Sequence, residues 1–406
     1  MLLAIPALAL AGGLSGCDSR TGPGTPPATP ATTPVAPTQR PAVAVAPELG
    51  AVLSVTAVND AGAMVLGRAG PTGPEFFFVA RGGQPKPLLL GDAPIEPSLL
   101  NNAGQVVGVV ADRSGSQPSR LVRWQDGTAT VLPVTGDEII PEDLNDRGQV
   151  TAVAVARRPG ADASSASDAT RAFLIDGTRV VDLGIDPDIN ERNLYLNESG
   201  QVAGQAFTDA GTSPRGFLWD NGAVITFDTG PTAHPVVMGL NDAGQLAGLS
   251  LDDQDSPSGA HPLFRPAFRW QSGILTFLDA GPGAGVGPVR INRSGQVAAV
   301  AADTSGAARD VVVWSADPAA RPTRLGITNA DLVVGLNDRG DVLLAGTAGP
   351  TAAPAGYVWH GGRVDVLGPL GGVAADPRGL AADGLAAGTS TSADGSLRAA
   401  AWPPVA

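Results

Sequence analysis

The chain has 406 residues and a formal charge of −13; 43% of it is hydrophobic, 16% charged and 4% aromatic. Its 54 glycines and 36 prolines exclude a helical bundle or coiled coil, which needs few helix breakers and many more charges. The acidity argues against nucleic acid as a partner, because phosphates need clustered cations, and all but one (Lys86) of the 26 basic residues are arginines.

Residues 2–14 are an apolar run broken by Pro6 and Gly12-Gly13. It is too short to span a bilayer, which takes about 20 apolar residues, and has the length of a signal-peptide core. It ends in Leu14-Ser15-Gly16-Cys17. Small residues before a cysteine resemble the bacterial lipoprotein signal. There the thiol accepts a diacylglycerol group and the cysteine becomes the mature N-terminus. Cys17 is therefore the expected lipidation site, residues 1–16 the expected signal peptide, and the membrane an expected partner through the lipid. The departure from the pattern is the missing basic n-region, since the chain begins Met1-Leu2-Leu3. Residues 17–40 are rich in Pro, Thr and Ala and too poor in apolar side chains to build a core, so they are expected to form an extended tether.

Cys17 is the single cysteine, which excludes an intramolecular disulfide framework and a Cys-based zinc site. Three histidines (His234, His261 and His360) leave little for metal binding or acid–base chemistry. Neither a Gly-x-Ser-x-Gly elbow nor a His-Glu-x-x-His motif occurs. The glycines of 281–287 have no strand-to-helix setting for phosphate. No catalytic residue, cofactor or metal is expected, and the chain reads as a non-enzyme.

From residue 41 onward the sequence repeats. Asn-x-x-Gly recurs as Asn59–Gly62, Asn101–Gly104, Asn145–Gly148, Asn197–Gly200, Asn241–Gly244, Asn292–Gly295 and Asn337–Gly340, with a degenerate eighth copy at Ala381–Gly384. The glycines are 42, 44, 52, 44, 51, 45 and 44 residues apart. Each copy runs from an apolar strand through the turn to a second strand, then an aromatic strand such as Ala267–Trp270, then a fourth strand such as Val364–Leu367. Four short strands in about 45 residues is the content of one propeller blade. Asn suits the first position of a type I turn, and Gly supplies the left-handed conformation of a three-residue hairpin loop. A small residue recurs four positions after the turn glycine (Gly108, Ala152, Gly204, Gly248, Ala299 and Gly388, with Leu66 and Leu344 as exceptions), which predicts crowded backbones near the axis. The aromatic position predicts one large side chain per unit between blades.

These residues resemble the HAF-type extracellular repeats. The resemblance is carried by Gly239-Leu240-Asn241-Asp242-Ala243-Gly244-Gln245, Ala172-Phe173-Leu174 and Leu367-Gly368-Pro369-Leu370-Gly371-Gly372, and it covers residues 42–402. It departs at the name-giving histidine, which is Arg171 or Pro266 here. The family motif is structural, so the resemblance implies a fold and an exported location.

The last unit stops at Trp402 without a fourth strand. Placing the first turn glycine on the last sets Val364-Asp365-Val366-Leu367 over Ala42-Val43-Ala44-Val45, so residues 41–46 are expected to complete the last blade and close the ring. The expected fold is all-β: a propeller over 41–406 of about eight four-stranded blades, or seven if the degenerate unit forms no full blade.

Two units are longer, both between the second and aromatic strands, at Arg157–Arg171 and Asp252–Pro266. Equivalent loops leave one face of a propeller, where binding residues commonly sit. Asp252-Asp253-Gln254-Asp255 has carboxylates but lacks the alternate spacing of a calcium loop, and His261 has no partner in sequence. The reading that follows is a lipid-anchored envelope or surface protein. Its propeller, expected as a monomer, would be an interaction module for an envelope protein or a polysaccharide. A glycan-active hydrolase or lyase on the same scaffold, or a structural spacer, are the alternatives.

Overall fold

The computed structural model describes residues 37–405, apart from 112–117, 157–168, 188–193, 208–213, 253–264, 282–283, 304–308, 318 and 349–352. Cys17, the signal segment and most of the expected tether therefore lie outside the described residues. Eight antiparallel sheets follow one another along the chain as blades I to VIII of a β-propeller. Blade I is Ser54–Val58, Met64–Gly70, Gly73–Val79 and Lys86–Pro87, and blade V is Ala233–Leu240, Leu246–Asp252, Ala267–Gln271 and Ile274–Leu278. The others span 96–131, 138–182, 186–227, 285–324, 330–367 and 371–402. Among the described residues the one helix is a 3-10 turn, Pro47–Leu49.

Ring closure follows the sequence register. A strand β2 (Val43–Ala44) pairs with Leu397–Trp402 as the fourth strand of blade VIII, with Val43 opposite Ala401 and Ala44 opposite Ala400. The equivalent pairs of blade VII are Asp365 with Val358 and Val366 with Tyr357, the alignment expected. The degenerate unit is a full blade, which makes the count eight. The expected tether boundary needs correcting. Thr38–Arg40 is not extended spacer but a strand, β1, pairing in parallel with Arg363–Leu367 as a fifth strand on blade VII. An uncovered edge strand with free backbone groups, plus a buried acid able to take Arg40, outweighs the segment's low apolar content.

The core is divided rather than central. Its eight clusters each combine two neighbouring blades: Val65 and Phe78 of blade I with Val106, Val122 and Trp124 of blade II, and round to Leu385, Ala399 and Ala401 of blade VIII with Met64, Leu66 and Val79 of blade I. Phe78 meets Trp124 with centroids 5.4 Å apart, and Phe227 stacks on Trp270 at 5.1 Å. Large aromatic side chains thus fill the seams, as the sequence predicts.

The small-residue position has a different cause from the one expected. The first strand of most blades carries a bulge, for example between Val107 and Gly108 in the register of blade II. The bulge pushes a carbonyl onto the second strand. A Cβ on Gly108 or Gly248 would lie 2.2 or 2.1 Å from the oxygen of Glu96 or Val236. At Gly108, Gly248 and Gly388 the crowding therefore comes from the blade's own first strand, not from neighbours around the axis. In blade VII the approach falls two residues later, at Gly346 against Asn329 O, which leaves room for Leu344.

Candidate functional site at the channel mouth

In each blade the Asn-x-x-Gly turn joins the first and second strands at one end of the ring. The glycine amide donates to the Asn carbonyl, and the Asn amide to the carbonyl four residues on, as in Gly148 N to Asn145 O at 3.0 Å and Asn145 N to Gln149 O at 3.1 Å. The eight turn glycines have φ between +71° and +84°. That conformation is costly for other residues.

The Asn side chains do more than shape the turn. Each Oδ1 accepts the amide of residue i+4 at 2.8–3.0 Å. Each Nδ2 crosses to the next blade and donates to the carbonyl of its counterpart at 2.8–3.2 Å, in the order Asn59, Asn101, Asn145, Asn197, Asn241, Asn292, Asn337 and Ala381. All seven asparagines are buried. At the last seam, between blades VIII and I, a backbone bond takes the place of the Asn bond, Ala382 N to Asp60 O at 3.1 Å, and Arg81 pairs with Asp383 at 2.6 Å. The Gln that follows the turn glycine completes the set: Asn145 Nδ2 also donates to Gln149 Oε1 at 2.8 Å, and Gln149 Nε2 donates to Asp176 Oδ2 at 3.1 Å. Blade VIII carries Ala381 and Leu385 in place of this Asn and Gln, an apolar pair that needs no partners.

A second ring lies outward of the first. The residue after each Asn is Asp60, Asn102, Asp146, Glu198, Asp242, Arg293, Asp338 or Ala382. At Asn102, Asp146, Glu198, Asp242 and Asp338 the side-chain oxygen accepts the amide of the preceding blade's counterpart, as in Asn102 N to Asp146 Oδ1 at 2.7 Å and Asp146 N to Glu198 Oε1 at 2.8 Å. Arg293 interrupts this pattern, having no acceptor for Asp242 N. Its guanidinium instead lies within 3.3–3.9 Å of Asp242, Asp338, Asp146 and Asp60, from four alternate blades. Burial pushes the Asp60 carboxyl above its ordinary value, against the opposing pull of Arg293 and Asn102. Burial would lower the Arg293 pKa, but the surrounding carboxylates raise it.

Inward of both rings, the residue before each Asn forms an apolar belt (Val58, Leu100, Leu144, Leu196, Leu240, Ile291 and Leu336) that floors a cavity of about 360 Å³. The belt packs sideways: a Cβ on Gly239 would lie 2.7 Å from Ile291, and one on Gly379 would lie 2.5 Å from Val58. One member of the next layer is acidic. Asp143 accepts the amides of Leu144 and of Leu196 in the next blade, both at 2.8 Å. Burial lifts its pKa to about 6 despite these bonds. Burial likewise lifts Tyr195 to about 12, so its phenol stays protonated. Blade VII varies the pattern at another point. Asp341 stands in for Gln and is held by Asn337, Arg339 and His360. Burial would raise its pKa, but those three partners bring it below the ordinary carboxylate value.

The repeated Asn and Asp residues face one another around a channel, but the Asn oxygens are engaged by their own turns and oxygens of the second ring by the preceding blades. Among the described residues no three His, Cys, Asp or Glu side chains converge as metal ligands would. Strand alternation puts the ends of both long loops, at residues 156 and 169 and at 252 and 265, on the face opposite the Asn turns. Residues 157–168, 253–255 and His261 lie outside the described residues. The Asn-to-next-blade bond was not foreseen from sequence. The signal for it was the Gln after the glycine in five copies, a polar residue opening a strand that faces inward.

Replacing Arg293 by Ala is expected to lower stability at pH 7 by about 1–2 kcal/mol, several exposed pairs at 0.2–1 kcal/mol each. The folded pKa of Asp60 already exceeds 3.8. Its favourable contribution is therefore complete below that value and is lost as pH rises through the folded pKa. Without Arg293 this loss extends to higher pH, so the variant should fall furthest behind at neutral pH and low salt. Urea melts at pH 4 and pH 7 check this, and an equal deficit at both would contradict it.

No protein-family model matches the chain, and no curated protein matches its sequence. Solved structures do match it by fold. The uncomplexed acylaminoacyl peptidase of Pyrococcus horikoshii aligns with TM-score 0.51 and 12% identity over 84% of this chain and 58% of its own. An acylaminoacyl peptidase in complex with Z-Gly-Gly-Phe-chloromethyl ketone gives 0.52 and 12%, over 85% and 59%. The β-propeller domain of the Trilobed protease from Pyrococcus furiosus, which has an open velcro topology, gives 0.49 and 10%, over 78% and 97%. What is shared is the fold. The chain spans under two thirds of the length of the two acylaminoacyl peptidases, and identity this low carries no activity across.

Proposed function

We propose that this protein is an exported lipoprotein of the bacterial cell envelope, anchored through Cys17, whose HAF-type propeller is a non-catalytic binding module for an envelope protein or polysaccharide. One observation carries the reading. The polar groups at the channel mouth are engaged in joining blades, while the two longest loops leave the opposite face of a ring closed by its own N-terminal strand. A rigid ring presenting variable loops on one face suits recognition. The anchor reading rests on Leu14-Ser15-Gly16-Cys17 and the proline-rich stretch after it.

Two experiments test this. Cys17→Ser should move the protein from the membrane fraction to the soluble fraction, and unchanged fractionation removes the anchor. Cross-linked capture from envelope extract should recover a partner with the full chain and lose it when both long loops are cut to the length of their counterparts. Retention by both forms moves the binding surface elsewhere. Capture by neither favours a spacer or a glycan-active enzyme, which polysaccharide turnover separates.

A further inference from the structure

A second cavity, of about 860 Å³, opens on the face opposite the Asn turns and shares no lining residue with the acidic mouth. That volume lies within the range of ligand pockets, about 300–1,000 Å³. Its walls come from the first strands of blades VI, VII, VIII and I and from the second and third strands of blades VII and VIII, with aliphatic Leu53, Leu332 and Val334 beside Thr56, Arg290 and Arg378. Arg290 sits two residues before Asn292, nearer the Asn-turn end than any other lining residue, and so marks the inner end of the cavity. Arg378 is neutralised by Asp376 at 2.7 Å. Arg290 is bonded to main-chain carbonyls, Val289 O at 3.2 Å and Val334 O at 3.3 Å, and among the described residues no carboxylate pairs with it. A half-buried guanidinium at the inner end of a cavity walled by aliphatic and hydroxyl-bearing side chains is suited to an anion.

We infer that this cavity receives the free C-terminal carboxylate of an extended, apolar peptide segment, with Arg290 as the anion anchor. Three features favour a peptide over a sugar acid. The lining holds no aromatic ring on which a sugar face could pack. Its aliphatic residues match apolar side chains. The first strands are the inner edges of their sheets, so their outward backbone groups, apart from the Val334 carbonyl that Arg290 holds, are open to an added strand, the mode of β-strand addition. The carboxylate forms a charge-assisted pair with Arg290, while the peptide main chain follows the inner edge of blades VII and VIII.

The test uses the full-length protein and two pools of acetylated hexapeptides built from Ala, Leu, Val and Thr, one ending in a free carboxylate and the other in a carboxamide. Retention is read by equilibrium dialysis with mass spectrometry. The carboxylate pool should be retained at least tenfold better. Arg290→Gln should abolish the preference, and Arg290→Lys should keep part of it. Thr56→Trp should block retention by filling the cavity without removing Arg290, which covers the case in which Arg290→Gln melts early. Equal retention of the two pools, retention of neither, or a preference that survives Arg290→Gln would overturn the inference. Arg290 lies outside both long loops, so trimming them tests the functional reading and Arg290→Gln tests this one.

Discussion

Replacing Arg40 with Ala is expected to destabilise the propeller by about 3 kcal/mol, although Arg40 borders a proline-rich tether. Its Nε donates to Asp365 Oδ2 at 2.9 Å, and its Nη1 reaches Gly384 O of blade VIII at 2.8 Å. Both ionised side chains are almost fully buried, at 3% and 1% exposure. Removing one partner of such a pair leaves an uncompensated buried charge, which costs about 3–5 kcal/mol. The lower end is expected because Arg363 Nε remains 3.3 Å from the other carboxylate oxygen. The double variant Arg40→Ala/Asp365→Ala should recover much of the loss, since no charge is then left unpaired. Urea melts of the four-member cycle measure the coupling, and hydrogen exchange at Gly368 N, which donates to Arg40 O at 2.8 Å, reports release of β1. A loss under 1 kcal/mol with no coupling would mean that β1 is an ornament on blade VII rather than a clamp between blades VII and VIII.

Asn145→Ala should cost about 2–4 kcal/mol, because it strands the Gln149 amide and Gln149 Oε1 inside the ring. The last blade supplies the control. Ala381 and Leu385 occupy the Asn and Gln positions there, with Asp383 Oδ1 accepting the Leu385 amide at 3.0 Å, where blade III has Arg147. Asn145→Ala/Gln149→Leu copies that pair, and it should recover half or more of the single variant's loss, because removing both polar partners leaves fewer unsatisfied groups than removing one. Thermal melts of wild type, single and double variants decide this. A double variant less stable than the single would show that the inter-blade bond to Asn197 O, rather than the local pair, dominates.

Much of the molecule was legible in sequence because its information is local and repeated. The turn glycines mark the hairpins, their spacing gives the period, and the missing strand after Trp402 finds its match in Val43 and Ala44 at the expected register. The site was less legible. Asn in a turn satisfies a local rule, and that rule already accounts for its presence, so its second bond 42–52 residues away leaves no separate trace. Arg40 was misplaced for a related reason, since nothing in Gln39-Arg40-Pro41 distinguishes spacer from strand.

The structure made the degenerate unit a full eighth blade, but the sequence by itself determined the all-β class, the period of the blades, the turn chemistry and the strand that closes the ring. Each of these follows from backbone conformation and hydrophobic period within about 45 residues. The tertiary structure alone decided which carboxylates meet Arg293, which carbonyl each Asn reaches, that Arg40 is buried against a residue 325 positions away, and that Arg290 lines a cavity while bonded to main-chain carbonyls. These depend on which groups the closed ring brings within 4 Å. A polar side chain with several donors and acceptors does not reveal its partners until packing removes the water that could otherwise satisfy it.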